Sequence, residues 1–385
     1  MAKTGVGARW ESELSVYQDP KSGATVHQLT AYKGHSSHFY FTYPCWYDKG
    51  RKIVFTSDRE NRTNLYGVDL ESGEITQFTD FDPSEGGIGG LSKNPVREEI
   101  YFHRGRVLTA LDLTTLEQRP IYTRPEGYVG GSSNATADGK TLCVGHYKDL
   151  SDRFMIDLGH GYVGFREIWE AHPPSTILKI PIEGGTPEVI YQEDYWLGHF
   201  NCSSKHPNIM TFCHEGPWTL VENRIWGLDL NTGEAWQIRP NAPGEAIGHE
   251  YWMSDGEHIG YHGTTPQGPV YGAIRFDNTD QVEAPFEGHC WHFHSYMLEL
   301  VVGDGDAKDP YLLLWRFHEG AFEGPKVLVW HRGSFHTQRV HLHPCFNSEG
   351  TQVIYTADPQ GYGQVFAVDV PAWETLPDLA DVKAR

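Results

Sequence analysis

Two histidines near the C-terminus have the spacing of metal ligands. His341 and His343 lie two residues apart, and Gln338 stands three residues before the first of them. In an extended segment, side chains at positions i and i+2 point the same way, so both imidazoles can approach one ion. His292 and His294 could supply a further nitrogen. Because the chain has 21 histidines, the spacing also fits a pair of hydrogen-bonded core histidines.

A second set of polar residues occurs in short segments that begin or end predicted strands. Its members are His199, His214, Arg224 and His249. Imidazoles and a guanidinium in one place would form a cationic pocket that suits an acidic ligand. The alternative is structural, with His199 and His214 bonded to neighbouring loops and Arg224 in an ion pair within its sheet.

The composition narrows the class of partner. The chain of 385 residues has 51 acidic and 31 basic residues and a formal charge of −20, with no run of Lys or Arg. This charge makes a nucleic-acid partner improbable, and an anionic sugar would need a local cationic pocket. We expect a cytoplasmic protein, because neither an N-terminal signal nor a membrane-spanning run is evident. Without a secretory signal, the six dispersed cysteines are predicted to be reduced and mostly buried.

The elements that would position these residues come from a repeat of turn, strand, polar loop, strand, glycine turn and strand. It is clearest over residues 46–79, and residues 227–233 restate residues 67–73. Related units begin near residues 46, 91, 134, 202, 250, 294 and 343. Several strands per unit at a period of about 40 to 45 residues indicate an all-β fold, a seven-bladed β-propeller.

Three further features complete the prediction of a single propeller domain over residues 1–385. Residues 25–30 resemble the fourth strand at 75–79, so we expect this N-terminal strand to close the last blade, which has only three strands of its own. Residues 152–174 are predicted to be an inserted loop with a short helix that caps one face. Residues 372–385 are predicted to be a frayed tail.

Six motifs, in order along essentially the whole chain, resemble those of the oligogalacturonate lyases. They are Trp-Leu-Gly-His (196–199), Phe-Cys-His-Glu-Gly-Pro (212–217), Arg-x-Trp (224–226), His-Glu-Tyr-Trp (249–252), Val-Gly-Asp-Gly (302–305) and Gln-x-x-His-x-His-Pro (338–344). The resemblance implies a seven-bladed propeller that acts in the bacterial cytoplasm on short pectin fragments with a bound divalent metal, typically manganese.

The resemblance also implies roles for particular residues. The metal ligands would be His292, Gln338, His341 and His343. His249 would abstract a proton and Arg224 would neutralise charge. A one-residue gap in the match near residues 290–297 leaves His294 as an alternative to His292. Shorter or longer loops near residues 305–309 and 34–40 leave substrate length and sugar identity open.

These residue types suit β-elimination of a uronide. The reaction removes the weakly acidic C5 proton next to the carboxylate and expels the oxygen at C4. A divalent cation on that carboxylate would act as a Lewis acid. Histidine, with an ordinary pKa of about 6.5, suits the base, and arginine can bind a carboxylate bidentately. We expect His199 and His214 to contact the sugar, and exposed Trp218 and Tyr251 could stack on its ring.

The leading hypothesis is therefore a metal-dependent oligogalacturonate lyase that cleaves di- and trigalacturonides. It would release an unsaturated monouronate that converts to a 4-deoxy-5-keto uronate. A lyase for another oligouronide and a non-catalytic binding propeller are the alternatives. The expected partner is a small acidic oligosaccharide, neither nucleic acid nor membrane, and the oligomeric state is open.

Overall fold

The structure, a computed structural model, describes residues 4–384, and most of its regular secondary structure is β-strand. Along these residues seven antiparallel sheets follow one another, which makes the fold the seven-bladed β-propeller that the repeat predicted. We number the blades in chain order and call the four strands of each sheet A to D in their order of pairing. Residues 4–84 and 284–384 form one compact unit, unit I, and Glu85–Glu283 form another, unit II. A single domain over residues 1–385 remains a prediction.

Unit II contains blades two to five, apart from the last two residues of blade five, and consecutive strands of these blades pair with each other. From A to D the strands are Ile88–Lys93, Glu99–Arg104, Val107–Asp112 and Gln118–Thr123 in blade two; Tyr128–Ala135, Thr141–Lys148, Pro174–Pro181 and Glu188–Asp194 in blade three; Leu197–Cys202, Ile209–His214, Ile225–Asp229 and Ala235–Gln237 in blade four; and Ala246–Trp252, His258–Thr265, Gly268–Arg275 and Val282–Pro285 in blade five. Adjacent blades share apolar cores: Tyr101 and Leu108 of blade two pack in one cluster with Leu142 and Leu178 of blade three.

Unit I contains blades one, six and seven. From A to D the strands are Ser36–Ser37, Lys52–Ser57, Asn64–Asp69 and Ile75–Gln77 in blade one, where Trp46–Tyr47 also pairs with strand B; Phe293–Ser295, Leu300–Gly303, Tyr311–His318 and Ala321–Trp330 in blade six; and Cys345–Phe346, Gln352–Ala357, Gln364–Asp369 and Thr25–Gln28 in blade seven. The short helices of the two units are the 3₁₀-helices Arg59–Asn61, Pro83–Glu85, Gln338–Val340 and Trp373–Thr375 and the α-helices Phe165–Ala171 and Leu379–Lys383.

The repeated sequence at residues 67–73 and 227–233 forms the turn between strands C and D. Asp69 Oδ1 accepts hydrogen bonds from the backbone N–H groups of Glu71 and Ser72, at 3.1 and 2.9 Å. Asp229 does the same in blade four. Gly73 and Gly233 then take φ values of 72° and 73°, which glycine adopts without strain. This local chemistry explains why the repeat is visible in the sequence.

The N-terminal residues complete blade seven, as predicted. Thr25–Gln28 pairs with Gln364–Asp369, with Val26 opposite Val368. The structure adds two short edge strands that the sequence did not reveal: Ser15–Gln18 extends blade seven, and Arg9–Trp10 extends blade one. The chain thus crosses from one sheet of unit I to another before it enters strand D of blade seven.

Strand A begins earlier in blades two to five than the repeat suggested. These strands start at Ile88, Tyr128, Leu197 and Ala246, against predicted unit starts near residues 91, 134, 202 and 250. Each A–B pairing shifts register part-way along, at a β-bulge. A bulge breaks the two-residue alternation on which recognition of a strand depends, so only the second half of each strand was recognised.

The remaining expectations concern the insertion and the tail. The segment between strands B and C of blade three contains the predicted short helix, Phe165–Ala171, and its capping role remains a prediction. The prediction of a frayed tail is wrong for residues 372–384: Leu376 and Val382 are buried, and Trp373 lies under the cations of Arg316 and Lys326. Residues 1–3 and 385, to which the predictions at the two ends also extend, lie outside the described residues.

No helix in residues 4–384 is long and apolar enough to cross a membrane. All six cysteines are free thiols, and Cys290 is half-buried while the other five are buried.

Candidate functional site

Three histidines of unit I form a compact group, which we call the histidine site: His292, His341 and His343. One ring nitrogen of each lies within 4.8 Å of those of the other two. His292 directly precedes strand A of blade six, and the other two directly follow the 3₁₀-helix Gln338–Val340. His343 has a left-handed backbone (φ 46°), so the pair converges through an irregular segment and not through the strand expected from the sequence.

Asp304 orients His292. Its Oδ2 lies 2.8 Å from His292 Nδ1, and its Oδ1 accepts hydrogen bonds from the backbone N–H groups of Trp291 and His292. The carboxylate is fully buried. A carboxylate on one ring nitrogen fixes the imidazole and presents the other nitrogen to a metal. Sequence reasoning used the Val-Gly-Asp-Gly motif only for the resemblance and missed this role.

The donor atoms of the histidine site fit a metal ion. Among the described residues, neither His341 Nδ1 nor His343 Nε2, both buried atoms, has a hydrogen-bond partner. Such orphaned polar atoms are rare, and each costs roughly 1–3 kcal/mol. Burial lowers the pKa of His341, and burial together with the neighbouring His292 lowers that of His343. Both imidazoles are therefore neutral at pH 7, the state in which imidazole binds a metal.

His294, the alternative third imidazole, is not part of this group. Its Nδ1 accepts a hydrogen bond from the backbone N–H of Phe346 at 3.3 Å, and its Nε2 lies 3.7 Å from Cys345 Sγ. Burial lowers its pKa to about 3. The geometry therefore favours His292. Gln338 begins the helix that leads into His341, and its role as a ligand stays a prediction.

Unit II brings three of the four other predicted residues together. We call this group the arginine site: His199, Arg224 and His249 with the carboxylates of Glu215 and Glu250. His199 and His249 occupy equivalent bulge positions in strand A of blades four and five, each directly after a glycine. Both have φ 49°, in the left-handed region. Such strain in residues other than glycine costs on the order of 1–3 kcal/mol and is concentrated at functional sites.

Arg224 lies between the two carboxylates and is only 2% exposed. Its Nη1 donates to Glu215 Oε1 at 2.7 Å, and its Nε lies 3.5 Å from Glu250 Oε2. Burial alone would raise the pKa of Glu215, but the Arg224 charge holds it at about 2. The pKa of Glu250 is also lowered, because His199 and Arg224 outweigh its burial. With both carboxylates ionised, this pocket is less cationic than the sequence predicted.

Gly198 and Gly248 precede the two bulge histidines for a packing reason. A Cβ on Gly248 would lie 2.4 Å from Arg224 Cδ, so a side chain there would displace the guanidinium. The neighbouring His249 ring lies parallel to that of His199, with centroids 6.3 Å apart. The Gly-His pairs therefore place imidazoles beside a buried arginine.

His249 has two neighbours that sequence reasoning did not pair with it. Its Nδ1 lies 3.2 Å from His262 Nε2. The Trp218 ring meets it edge-on, with centroids 4.7 Å apart. Tyr251, predicted to be exposed, is buried (1% exposed), because its position in the strand turns it towards Tyr271, to which it is hydrogen-bonded.

A second group with metal-ligand spacing, His199, Cys213 and Glu215, belongs to the arginine site. Both Glu215 oxygens accept hydrogen bonds from Arg224, and burial raises the pKa of the Cys213 thiol well above its usual range. A protonated thiol and a carboxylate paired with a guanidinium are poor metal ligands, so this group does not fit an ion.

His214 lies apart from the arginine site. Its Nε2 is 2.9 Å from Glu193 Oε2, and its ring stacks on Tyr195 and Trp226. This arrangement fits the structural alternative left open by the sequence. A contact of His214 with substrate remains a prediction without support from the geometry.

Comparisons with known proteins agree with the six motifs. A sequence model of the oligogalacturonate lyase family matches residues 4–373. The chain belongs to the oligogalacturonate lyase family. It is 28% identical to an oligogalacturonide lyase of Pectobacterium atrosepticum, over 92% of this chain and 95% of that protein. It is 27% identical to an oligogalacturonate lyase of Dickeya dadantii, over 95% and 98% of the two chains.

A solved structure of an oligogalacturonate lyase in complex with manganese has the same fold. It superposes with a TM-score of 0.86 and 26% identity, over 96% of this chain and 99% of the other. Oligogalacturonate lyases are carbon–oxygen lyases that act on oligosaccharides, so the match supports an enzyme over a non-catalytic propeller. It also makes the roles implied by the resemblance specific proposals for the histidine and arginine sites.

Proposed function

We propose that this protein is a metal-dependent lyase that cleaves di- and trigalacturonides by β-elimination during pectin breakdown. Each cleavage would release an unsaturated monouronate, which converts to 4-deoxy-5-keto uronate. The observation that carries the proposal is the histidine site, whose orphaned buried nitrogens fit a divalent ion, in a chain of this family.

The metal would be held by His292, His341 and His343, with Gln338 as a fourth ligand. Manganese is the proposed ion, since a structure of a family member contains it. A bound divalent cation would draw charge from the uronate carboxylate and so make the adjacent C5 proton more acidic. Asp304 holds the His292 ring in the orientation that ligation needs.

His249 is the proposed base. The tautomer in which its Nδ1–H donates to His262 Nε2 leaves Nε2 as the proton acceptor. Imidazole takes a proton readily near neutral pH. The strained bulge fixes the direction of the ring, and we propose that His262 is a positioning residue that selects the tautomer.

Arg224 is proposed to offset the negative charge that grows as the proton leaves. Its pairs with Glu215 and Glu250 fix the guanidinium in place. His199, whose Nε2 lies 3.4 Å from Arg224 Nη2, is proposed to contact the sugar beside it.

We further propose that the enzyme works in the cytoplasm on a small acidic oligosaccharide. The six free cysteines support a reducing compartment. A lyase for another oligouronide is the second candidate, because the changed loops near residues 34–40 and 305–309 leave room for a different sugar or chain length.

Mass spectrometry of saturated digalacturonate tests the reaction type. Chelator-treated protein should split the substrate only after manganese is added, and the two fragments should together gain no water. Fragments that gain water would indicate a hydrolase. Failure to act on any oligogalacturonate, with action on another oligouronide, would favour the second candidate.

Two substitutions separate the proposed roles. His249→Ala should abolish turnover and keep the metal, whereas His341→Ala should lose the metal. His258→Ala is the matched control, since His258 lies in the same blade and pairs with Asp255. Full turnover in His249→Ala would refute its role as base, and stoichiometric manganese in His341→Ala would refute the ligand set.

A further inference from the structure

In blades two to five, one position of strand B pairs with the glycine that directly precedes the bulge in strand A. The residues at this position are His103, His146, Cys213 and His262. In blade five the residue is His262, which contacts the proposed base. Blades two and three therefore repeat, with histidine, a position that belongs to the reaction site in blade five.

The bulges themselves differ between the blades. Where blades four and five have His199 and His249, blades two and three have Gly90 and Gly131. Gly90 presents no side chain beside His103. A Cβ on Gly89, the partner of His103, would meet no atom within 4 Å. Blade two is thus open at this position, whereas a Cβ on the equivalent Gly248 of blade five would meet Arg224.

His103 and His146 are buried without satisfying their ring nitrogens. Each is 5% exposed. Within the part of the chain that the structure describes, both ring nitrogens of His103 and Nδ1 of His146 have no hydrogen-bond partner. A core position with this burial is normally apolar or hydrogen-bonded. Two such histidines in adjacent blades indicate donors kept for a ligand.

Arg124 places a cation beside both histidines. Its Nε donates to the backbone oxygen of Tyr128 at 3.0 Å and its Nη2 to that of Gly105 at 3.3 Å, so it joins blades two and three. Burial first, and then the Arg124 charge, lower the pKa of His103 and His146 to about 4. At neutral pH each imidazole is therefore an uncharged group with one N–H to donate.

Three cations of this region have no carboxylate partner among the side chains that the structure describes. In that part of the chain, Arg106, Arg124 and Lys148 form no ion pair with a carboxylate, and Asp149 acts on Arg124 only as a weak, longer-range charge. This is unusual in a chain of net charge −20. By contrast, the arginine site has one guanidinium against two carboxylates.

We propose that His103, His146 and Arg124 form a second carboxylate-binding site in unit II, which holds a uronate residue of the oligosaccharide other than the one that reacts. The proposal rests on the proposed function, because the ligand is the same oligouronide. Arg124 would supply the charge and the two imidazoles hydrogen bonds to the carboxylate or ring hydroxyls. The repeated strand B position explains how one fold provides both the reaction site and this one.

Equilibrium binding to the manganese-loaded His249→Ala protein tests the site, because this background should bind substrate without cleaving it. The probe is trigalacturonate, and the added substitutions are His103→Leu and Arg124→Met. Each should weaken trigalacturonate binding about tenfold to a hundredfold, the effect of losing a hydrogen bond to a charged group. Arg97→Met is the control, since Arg97 pairs with Glu183 at the surface of the same unit and should leave affinity unchanged.

Thermal unfolding separates this role from a structural one. His103→Leu removes unsatisfied nitrogens, so it should unfold at the same or a higher temperature while it binds more weakly. A lower unfolding temperature with unchanged affinity would make His103 structural and overturn the proposal. Unchanged trigalacturonate affinity in both variants would also overturn it. If the variants weakened only the binding of inorganic phosphate, the site would be one for free anions, and the proposal would again be overturned. Wild-type turnover, measured alongside, distinguishes these failures from failure of the proposed function.

Discussion

At the level of single residues, the properties of each candidate group depend on one or two neighbours. His292 has Asp304 on one ring nitrogen, whereas His294, two residues on, is buried against Cys345 and Phe346. Both histidines have the same side chain and nearly the same place in the sequence. The buried carboxylate holds the first ring in position for a metal, whereas the second ring accepts a hydrogen bond from the backbone N–H of Phe346.

Asp304→Asn should therefore weaken manganese binding about tenfold to a hundredfold, the usual effect of losing such a carboxylate. The amide keeps the shape but no longer holds the His292 ring through a charged acceptor. Titration of chelator-treated protein with manganese measures the change. Asp306→Asn removes the same charge two residues away, where the carboxylate pairs with His289, and should leave affinity within about twofold. Equal losses in both variants would make the effect one of general charge.

Burial of charge makes Arg59 dependent on a single partner. Its guanidinium is fully buried, lies over the rings of Trp10, Tyr32 and Tyr66, and pairs with Glu13. Burial alone would raise the pKa of Glu13, but Arg59 lowers it. Glu13 lies between the edge strands Arg9–Trp10 and Ser15–Gln18, so its ion pair with Arg59 holds this part of the N-terminal segment in place.

Glu13→Gln should lower the free energy of unfolding by about 3 kcal/mol, because it leaves a buried cation without a counter-charge. Urea unfolding measures the loss, and limited proteolysis should show earlier cleavage before residue 25. Glu11→Gln, at an exposed neighbouring position, is the control and should change stability by less than about 0.5 kcal/mol. A similar small effect at Glu13 would mean that the cation is stabilised by the aromatic rings alone.

At the level of elements, the bulge in strand A links fold to function. The extra residues place His199 and His249 in left-handed backbone conformations, beside Arg224. The two imidazole rings lie parallel, with centroids 6.3 Å apart. Blade two keeps the bulge but has Gly90 there, and so places no imidazole beside its strand B histidine.

The backbone strain at position 249 can be measured by comparing the stabilities of glycine and alanine variants. At position 249, with φ 49°, glycine should be more stable than alanine by about 1 kcal/mol, because a Cβ is disfavoured in the left-handed region. At position 262, which lies in the regular part of strand B, the order should reverse by about 0.5–1 kcal/mol. Chemical unfolding of the four variants gives both differences. The same order at both positions would mean that the bulge is not strained.

At the level of the whole molecule, buried neutral histidines tie stability to pH. The pKa values are lowered to about 4 or about 3 mainly by burial. The residues are His38, His103, His146, His294 and His331. Their unfolded pKa is about 6.5, so between pH 6.5 and 4 the unfolded chain binds protons that the folded chain does not.

The stability of metal-free protein should therefore be fully present above about pH 6.5 and fall as the pH is lowered towards 4. Each of these histidines contributes up to about 1.4 kcal/mol per pH unit in that window. Carboxylates with lowered pKa values, such as Glu215, act in the same direction below about pH 4.5. Unfolding curves at a series of pH values test this. Constant stability from pH 7 to 5 would show that these histidines bind protons as readily in the folded state as in the unfolded chain.

The sequence by itself determined the architecture and the family. The Asp-x-x-x-Gly turn before strand D has its own hydrogen bonds and its own glycine conformation, so it recurs as a legible repeat. The strand that contains Val26 could be recognised as the missing strand of blade seven for the same reason, because the pattern of a strand depends only on its own residues. The ordered motifs then identified the family, and their residues include the arginine site and, of the histidine site, His341 and His343.

Tertiary structure alone decided which neighbours those residues have. Spacing could not choose between His292 and His294, because the deciding contacts come from Asp304 and Phe346, far along the chain. It could not show that Glu215 and Glu250 offset Arg224, or that His214 pairs with Glu193. Bulges interrupt the alternation from which strands are predicted, and the left-handed histidines lie within them. Burial and charge balance arise only when separate strands meet, so they cannot be read from one segment.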